Sequence, residues 1–348
     1  MKNKIIRLFL AFVLCVNIAA LSACQNKTEA EAYNKKFPLG KAKIRAIAEI
    51  SSAACDSPIF IAYEKGFFAD EGIDVELVAG DAEVTKAGLQ KNEFPVATEA
   101  FGYFISIYQG LDIKVVAGTH KGCVKLLTAP NSPYNSVGDL KKVKGRKLNI
   151  GLSEAVGSAD HIYASIIFKK YGIDPVNDVE WLVFPPDTYN LVYEKNKLDA
   201  FVSWDPFAIL AVKKEGYKLL SDQATDPVLN DAYCCFLYAP TKLINEQPAL
   251  IRGLVRAYRR GADYIAANPE EAAKIDIDKK YISTDQNEII QDLLVSYTYD
   301  AHHHNGKKLN STKDDIRFYV TEIKALGYLP EDLDVEEFVN KIYYDDIH

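Results

Sequence analysis

The stretch that decides the fold runs Ser57-Pro-Ile-Phe-Ile-Ala-Tyr-Glu-Lys-Gly-Phe-Phe-Ala-Asp-Glu-Gly-Ile-Asp-Val-Glu-Leu77. Ser57 and Pro58 predict the start of a helix, since serine favours the N-cap and proline the first helical position. Gly66 is a typical residue at which such a helix ends. Residues 73–77 then alternate between apolar and acidic side chains, which predicts a strand. The stretch is therefore a helix followed at once by a strand, as in α/β proteins.

The same alternation continues along the chain. Apolar periodicity predicts a first strand at 42–50 and later strands at 73–77, 95–98, 113–117, 147–152, 179–184 and 199–203. Helical spacing predicts helices at 84–91, 101–109, 158–171 and 189–196, and the sequence turns mostly helical from residue 242 onward. Alternation of this kind predicts parallel sheets covered by helices.

A short apolar run near the N-terminus predicts export. Three basic residues precede the apolar segment 8–20, and Leu21-Ser-Ala-Cys24 matches a bacterial lipobox. The segment is shorter than the about 20 apolar residues that span a bilayer. We predict a lipoprotein signal peptide at 1–23, with Cys24 carrying the lipid (palmitate included), and a polar tether at 24–41. A plain secretory signal or a short membrane anchor is the alternative.

Composition limits the classes of function. Of the 348 residues, 48% are hydrophobic, which is ample for the cores of two lobes. The net charge of −7 becomes −10 once the three basic residues of the signal peptide are removed, and an acidic surface argues against nucleic acid as a partner. Motifs for nucleotides, serine hydrolases and zinc peptidases are absent from the sequence. We therefore assign no catalytic residue, cofactor or metal site.

Four segments, taken together, resemble a known family. They are the stretch 57–77, Gly145-Arg-Lys-Leu-Asn-Ile-Gly151 leading to Gly157-Ser158, Lys197-Leu-Asp-Ala-Phe-Val-Ser-Trp-Asp-Pro206, and Asn268-Pro-Glu-Glu-Ala272. In this order they resemble the substrate-binding proteins of nitrate, sulfonate and taurine ABC importers, a family that also includes thiamine-pyrimidine binding proteins. The resemblance implies an α/β chain with the type II periplasmic-binding-protein fold, in which two lobes are joined by a hinge of two crossover strands.

The resemblance also implies how the chain is divided and what it does. Lobe one would comprise 42–120 plus 237–348, and lobe two would comprise 121–236. Closure of the hinge would bury a small ligand and present the closed form to the permease subunits of an ABC importer. With the lipobox, this places a transport protein on the extracytoplasmic face of the bacterial cell membrane, held by its N-terminal lipid. A sensor without a dedicated transporter is an alternative.

Loops that follow the predicted strands supply the candidate ligand-binding residues, because ligands of open α/β sheets bind at the carboxyl ends of strands. The candidates are Cys55, Asp56, Ser57, Glu99, His120, Gly157, Ser158, Trp204 and Asp205. For Trp204, stacking on a flat ligand and packing in the core are both open.

Two features of this set favour opposite ligand charges. Gly157-Ser158 precedes a helix whose N–H groups and dipole favour nitrate, sulfonate or carboxylate, although simple capping by Ser158 explains the motif equally well. Asp56, Glu99 and Asp205 place three carboxylates around the same cleft. Three acids suit taurine or a heterocyclic amine better than a bare anion, although each acid alone could be structural. We predict a preference for a ligand with an amine or ring N–H.

Four cysteines follow the lipidation site. Cys55, Cys123 and the pair Cys234-Cys235 all map near the predicted cleft or the crossovers. They are too few for a disulfide framework, and no Cys-x-x-Cys spacing occurs. Free thiols, a disulfide from Cys123 to one of the pair, and soft-metal ligands all remain open.

The cysteines also raise an enzymatic alternative. Thiamine-pyrimidine synthases resemble this fold and carry a run of cysteines at an iron site. Tyr233-Cys-Cys-Phe236 resembles part of that run, but it has two adjacent cysteines instead of three, and Leu237 stands where another would follow. The synthases also place a reactive histidine just before Pro-Ile-Phe, where this chain has Asp56 nearby. We therefore predict a protein that is not an enzyme.

Overall fold

The structure is a computed structural model that describes residues 41–45, 54–185, 188–195, 198–229, 232–299 and 311–345. The predicted signal peptide, Cys24 and all but the last residue of the tether lie outside these residues. Lipidation therefore stays a prediction. No helix in the described ranges is both long and apolar enough to cross a membrane.

The helices alternate with strands in the first two thirds of the chain and dominate the last third. In chain order they are α1 (Ser57–Glu64), α2 (Phe67–Asp70), α3 (Ala82–Gln90), α4 (Tyr103–Tyr108), α5 (Ala159–Lys170), α6 (Tyr189–Lys195), α7 (Phe207–Glu215), α8 (Thr241–Glu246), α9 (Pro248–Ala267), α10 (Pro269–Asp278), α11 (Asn287–Ser296), α12 (Thr312–Ala325) and α13 (Val335–Ile342). The helices predicted from residue 242 onward are therefore present.

A two-stranded sheet contains the strand of the deciding stretch. Here β1 (Lys41–Arg45) pairs in parallel with β2 (Asp74–Val78), as predicted for residues 42–45. The rest of the predicted first strand, 46–50, lies outside the described residues. The prediction that Ser57 is the N-cap of α1 is wrong. Residues 54–56 form a turn of 3-10 helix that moves the cap position to Asp56.

A four-stranded sheet has the order β11-β4-β10-β3 and is antiparallel throughout. Its strands are β3 (Ala97–Ala100), β4 (Ile113–Lys121), β10 (Tyr233–Pro240) and β11 (Thr298–Tyr299). The central strand β10 is buried along its whole length, and Phe236 lies between Glu99 and Gly118.

A five-stranded sheet has the order β7-β6-β8-β5-β9. Its strands are β5 (Val124–Thr128), β6 (Leu148–Leu152), β7 (Val179–Val183), β8 (Ala200–Trp204) and β9 (Lys218–Asp222). Strands β6, β7 and β8 run parallel, whereas β5 is antiparallel to both β8 and β9.

The prediction of parallel sheets is therefore wrong for the four-stranded sheet and for β5 and β9. The chain passes between the two larger sheets twice, once from β4 to β5 through Gly122 and Cys123 and once from β9 to β10. After each passage, the next strand pairs with partners that are distant in sequence. Local periodicity does not reveal whether that strand runs parallel or antiparallel to them. The limits of the two predicted lobes stay a prediction.

Helix α9 covers α1 at very close range. A Cβ atom on Gly261 would lie 2.0 Å from the carbonyl oxygen of Pro58, so only glycine fits there. The buried face of α9 includes Leu250, Leu254, Ala257 and Tyr258, which recur at helical spacing. This packing fixes α1 and the preceding turn, which carries Cys55 and Asp56.

Candidate ligand-binding site

A cavity of about 840 Å³ is lined by residues from both larger sheets and from the loops beside them. This volume is within the about 300–1,000 Å³ that is usual for small-molecule sites. The four-stranded sheet contributes the ends of β3 and β10, and the five-stranded sheet contributes β5, the end of β8 and the start of α5. The cavity is therefore suited to a ligand held from two sides.

Six of the nine predicted residues line this cavity: Cys55, Asp56, Glu99, Gly157, Ser158 and Trp204. The other three, Ser57, His120 and Asp205, do not line it and are buried. The strand-end argument found these loops because the ends of strands from two sheets converge on one space.

The predicted set of ligand-binding residues omits several polar residues that line the cavity. They are Asp81, Glu83, Lys86, Tyr103, Glu154 and Asp160. Asp81 had a local signal, since it is the N-cap of α3 and accepts the Val84 N–H at 3.0 Å. Nothing in the sequence indicated that this helix end faces the same space as β8.

Carboxylates dominate the electrostatics of the cavity. Among the described residues that line it, six are acidic, whereas Lys86 is the only basic side chain. The acidic residues are Asp56, Asp81, Glu83, Glu99, Glu154 and Asp160. The local field therefore opposes an anion and favours a cation.

Asp160 places a buried carboxyl in the first turn of α5, at the cavity wall. Its Oδ2 accepts the Ser153 N–H at 3.1 Å. Burial raises the pKa of Asp160 well above its usual range, and the charge of Glu154 adds to this shift. The positive N-terminal end of α5 thus already lies beside a carboxyl group of the protein.

The turn before α5 leaves one hydroxyl available. Gly157 has φ +97°, and its N–H is donated to His161 Nδ1 at 3.2 Å. The predicted alternative of simple capping is wrong, because the Ser158 side chain makes no capping hydrogen bond. Its buried Oγ has no hydrogen-bond partner in the described part of the chain. Ser158 could therefore donate to or accept from a ligand.

Trp204 is the last residue of β8, and its position agrees partly with both predicted alternatives, stacking on a ligand and packing in the core. Its ring lines the cavity and also packs edge-on against Phe207, with ring centroids 5.1 Å apart. The indole Nε1 is buried and has no partner among the described residues. The N–H is thus a further donor for a ligand.

The four thiols converge at the inner wall of the cavity. Cys55, Cys123, Cys234 and Cys235 are all free, buried and among its lining residues, so the predicted alternative of a disulfide is not realised. The Sγ atoms of Cys55 and Cys123 are 3.9 Å apart. Hydrogen bonds from the Cys234 and Cys55 thiols hold the pKa of Cys123 well below its usual range. Cys123 also has φ 148°, an uncommon conformation for a residue other than glycine.

His120 lies behind the cavity wall with no exposed surface. Its ring stacks on Tyr297, with centroids 4.7 Å apart, and burial lowers its pKa. One of its ring nitrogens and the Sγ atoms of Cys55 and Cys235 all lie within 4.8 Å of one another. His120 therefore belongs to the thiol cluster rather than to the ligand-facing surface.

Asp205 is part of a buried ion pair. Its Oδ2 lies 2.5 Å from the Nζ of Lys125, which is 3.5 Å from Asp222 on its other side. Burial alone would lower the pKa of Lys125, but the charges of Asp205 and Asp222 raise it above its usual range. The pair ties β5 to the end of β8 and leaves Asp205 no role on the cavity surface.

Ser57 bonds to the helical region instead of to the cavity. Its hydroxyl donates to Asp276 Oδ2 at 2.5 Å, and both residues are fully buried. Burial raises the pKa of Asp276 to about 8, although the bond from Ser57 opposes the shift. Asp276 is therefore protonated at neutral pH.

We expect wild type to lose stability as the pH rises to alkaline values, and we expect Asp276→Asn to abolish this loss. An unfolded aspartate has a pKa of about 3.9. The stability that the neutral carboxyl supplies is therefore complete below pH about 4 and is lost as the pH rises through about 8. Urea unfolding should show that the stability of the variant relative to wild type is higher at pH 9 than at pH 5. Asp278→Asn, an exposed site in the same helix, should change little. Equal pH profiles for wild type and Asp276→Asn would contradict the prediction.

Comparison with known proteins agrees with this architecture. A sequence model of the family described as NMT1/THI5 like matches residues 56–272, which is more than half of the chain. The chain belongs to the NMT1/THI5-like family. The match contains all but one of the six predicted residues that line the cavity, since Cys55 precedes it.

Relatives of this NMT1/THI5-like protein have named ligands. A Bacillus subtilis (strain 168) protein whose name assigns it to aliphatic sulfonates is 26% identical over 69% of this chain and 74% of its own. The nitrate/nitrite binding protein NrtA of Nostoc sp. (strain PCC 7120) is 23% identical over 90% and 76%. The crystal structure of periplasmic nitrate-binding NrtA from Synechocystis PCC 6803 superposes with a TM-score of 0.71 and 17% identity, over 88% and 86%. The predicted α/β periplasmic-binding-protein fold with two lobes is therefore confirmed.

Proposed function

We propose that this protein is the lipid-anchored substrate-binding component of an ABC importer, and that its ligand carries a protonated amine or a ring N–H. The observation that carries the proposal is the cavity lined from both larger sheets, with six acidic residues and one lysine. Ligand capture between two lobes that close about a hinge is the mechanism that this geometry supports.

The receptor part of the proposal has three supports. The family and the fold are shared with proteins named for nitrate and aliphatic sulfonates. The cavity has the volume of a small-molecule site. The lipobox ending at Cys24 supports attachment to the outer face of the membrane.

The charge of the cavity supports an amine-bearing ligand over a bare nitrate. An anion would lie beside six acidic residues, and Lys86 is the one basic side chain in the described lining. A cation would instead relieve the cost of burying Asp160 as a carboxylate. The ring of Trp204 provides a face for a flat or cationic group. A zwitterion such as taurine could place its amine near the acids and its sulfonate near Ser158.

A thermal-shift panel on residues 25–348, which omit the lipidated Cys24, tests the ligand class. The panel is nitrate, ethanesulfonate, taurine and an aminopyrimidine. A ligand at 100 times its Kd adds about 2.7 kcal/mol, which raises Tm by a few degrees. We expect taurine or the aminopyrimidine to raise Tm, and nitrate to leave it unchanged. Tight binding of nitrate without binding of either amine would refute the charge preference, and a flat panel would refute the proposed ligand class.

Attachment to the membrane is tested through Cys24. In the full chain expressed in a bacterium, Cys24→Ala should abolish incorporation of labelled palmitate and release the protein from the membrane fraction. Cys15→Ala is the matched control, since this cysteine lies inside the predicted signal peptide and should not affect labelling. Continued labelling of Cys24→Ala would contradict lipidation at this residue.

The synthase-like enzyme has one observation in its favour, the convergence of four thiols at the cavity wall. Against it, no histidine is among the described residues that line the cavity. Turnover by the purified protein loaded with iron would favour the enzyme over the receptor.

A further inference from the structure

We propose that Cys55, His120, Cys235 and Cys123 form a zinc site at the inner wall of the cavity. The first three offer ligand atoms that all lie within 4.8 Å of one another. Cys123 adds a fourth, since its Sγ is 3.9 Å from that of Cys55. The proposed site borders the ligand cavity but uses none of the acidic residues, Ser158 or Trp204, on which the proposed function rests.

The spacing fits tetrahedral zinc. A Zn–S bond of about 2.3 Å gives an edge of about 3.8 Å between two thiolates of a tetrahedron. The observed 3.9 Å between Cys55 and Cys123 matches this edge. The separations of up to 4.8 Å among the ligand atoms of Cys55, His120 and Cys235 would have to shorten by up to about 1 Å when an ion binds. A Cys₃His set is one of the usual donor sets of structural zinc.

His120 gives the independent indication of a missing partner. It has no exposed surface, and its Nε2 has no hydrogen-bond partner in the described part of the chain. Its other ring nitrogen, Nδ1, lies 3.4 Å from the carbonyl oxygen of Lys121. A histidine that binds a metal commonly donates its second ring N–H to a carbonyl in this way, which fixes the ring orientation.

The proposed zinc site is open to the cavity, and a bound ion would have a specific effect on the structure. All three cysteines line the cavity, so an ion can enter from it. His120 and Cys123 lie at the passage from β4 to β5, Cys235 lies in β10, and Cys55 lies in the turn before α1. A bound ion would therefore link three separate segments of chain at one of the two passages between the sheets.

Competition with a chromophoric chelator, on reduced and metal-free protein without the lipidated Cys24, tests the site. The chain used is 25–348, which contains every residue that the structure describes. We expect one Zn²⁺ per chain, and a Co²⁺ form with thiolate charge-transfer and tetrahedral visible bands. Cys55→Ser, Cys235→Ser and His120→Gln should each weaken Zn²⁺ binding by at least about 10–100-fold, as loss of supporting contacts alone already does in metal sites.

Cys234→Ser is the matched control, because this thiol is buried, lines the same cavity and is not among the proposed ligands, and because serine keeps an O–H group that can still donate to Cys123. It should keep one Zn²⁺ per chain with similar affinity. The proposal is overturned if Cys234→Ser loses zinc as strongly as Cys55→Ser. It is also overturned if the wild-type chain with four reduced thiols binds no Zn²⁺, or takes Cu⁺ or Fe²⁺ but not Zn²⁺. The wild-type Co²⁺ spectrum decides the matter even where a variant fails to fold.

Discussion

Lys125→Met is expected to destabilise the protein by about 3–5 kcal/mol, as is usual when one partner of a buried ion pair is removed. The Lys125 side chain is only 4% exposed and Asp205 is fully buried, with 2.5 Å between Nζ and Oδ2. Removal of the ammonium group leaves Asp205, and partly Asp222, without a compensating charge. Urea unfolding of the two proteins at pH 8 measures the difference.

The loss of stability in Lys125→Met should be smaller at lower pH. Burial raises the pKa of Asp205 to about 6 even with Lys125 present, so the variant can neutralise Asp205 by taking up a proton. We therefore expect a smaller difference at pH 5 than at pH 8.

An exposed ion pair supplies the control for Lys125. Lys142→Met removes the pair with Asp139, in which the lysine side chain is 72% exposed, and should cost about 0–1 kcal/mol. The double variant Lys125→Met/Asp205→Leu should recover part of the lost stability, because no unpaired charge remains buried. Similar losses in Lys125→Met and Lys142→Met would show that the buried pair has no special role.

Asp160→Asn is expected to weaken binding of an amine-bearing ligand by about 10–1,000-fold, which corresponds to the about 1.5–4 kcal/mol of a lost charged contact. The carboxyl is buried at the cavity wall and lies in the first turn of α5. Asparagine keeps an oxygen that can accept the Ser153 N–H, so the turn before the helix should persist. Isothermal titration with the amine that raises Tm most in the panel gives the change in Kd.

Binding to wild type should also weaken as the pH falls. Because the pKa of Asp160 is raised well above its usual range, the carboxylate is lost at a higher pH than an ordinary aspartate would require. Asp160→Asn should show a flatter pH dependence over that interval.

The control for Asp160 is an acid at the start of another helix. Glu288→Gln changes the first turn of α11 at an exposed position outside the cavity. It should leave Kd unchanged. If Asp160→Asn binds the amine as well as wild type while nitrate binding stays absent, the charge of Asp160 does not select the ligand.

Local patterns predicted the elements well where the chain itself carries the signal. The stretch 57–77 contains the helix and the strand that it predicts, and the helix at 158–171 is found at Ala159–Lys170. The error at Ser57 arose because the turn 54–56 extends the helical path by one residue position. Caps depend on the conformation of the preceding turn, which composition alone does not fix.

The strand-end argument identified ligand-cavity residues correctly where the end of a strand faces the cavity. It was wrong where the residue after the strand points elsewhere. Trp204 and Asp205 are neighbours after the same predicted strand, yet Trp204 lines the cavity and Asp205 turns inward to Lys125. The partner lies 80 positions away on β5, a strand that the periodicity did not reveal. No local rule distinguishes the two residues.

The sequence by itself determined the α/β alternation, the family and most of the loops around the cavity, because periodicity, capping residues and short motifs act within a few turns of chain. Only the tertiary structure decided three further features. They are the antiparallel course of β10, the dominance of acids in the cavity and the meeting of Cys55, Cys123 and Cys235 with His120. Cys55 and Cys123 are separated by 68 positions. Their approach depends on how whole sheets pack, and the sum of many weak long-range contacts sets that packing.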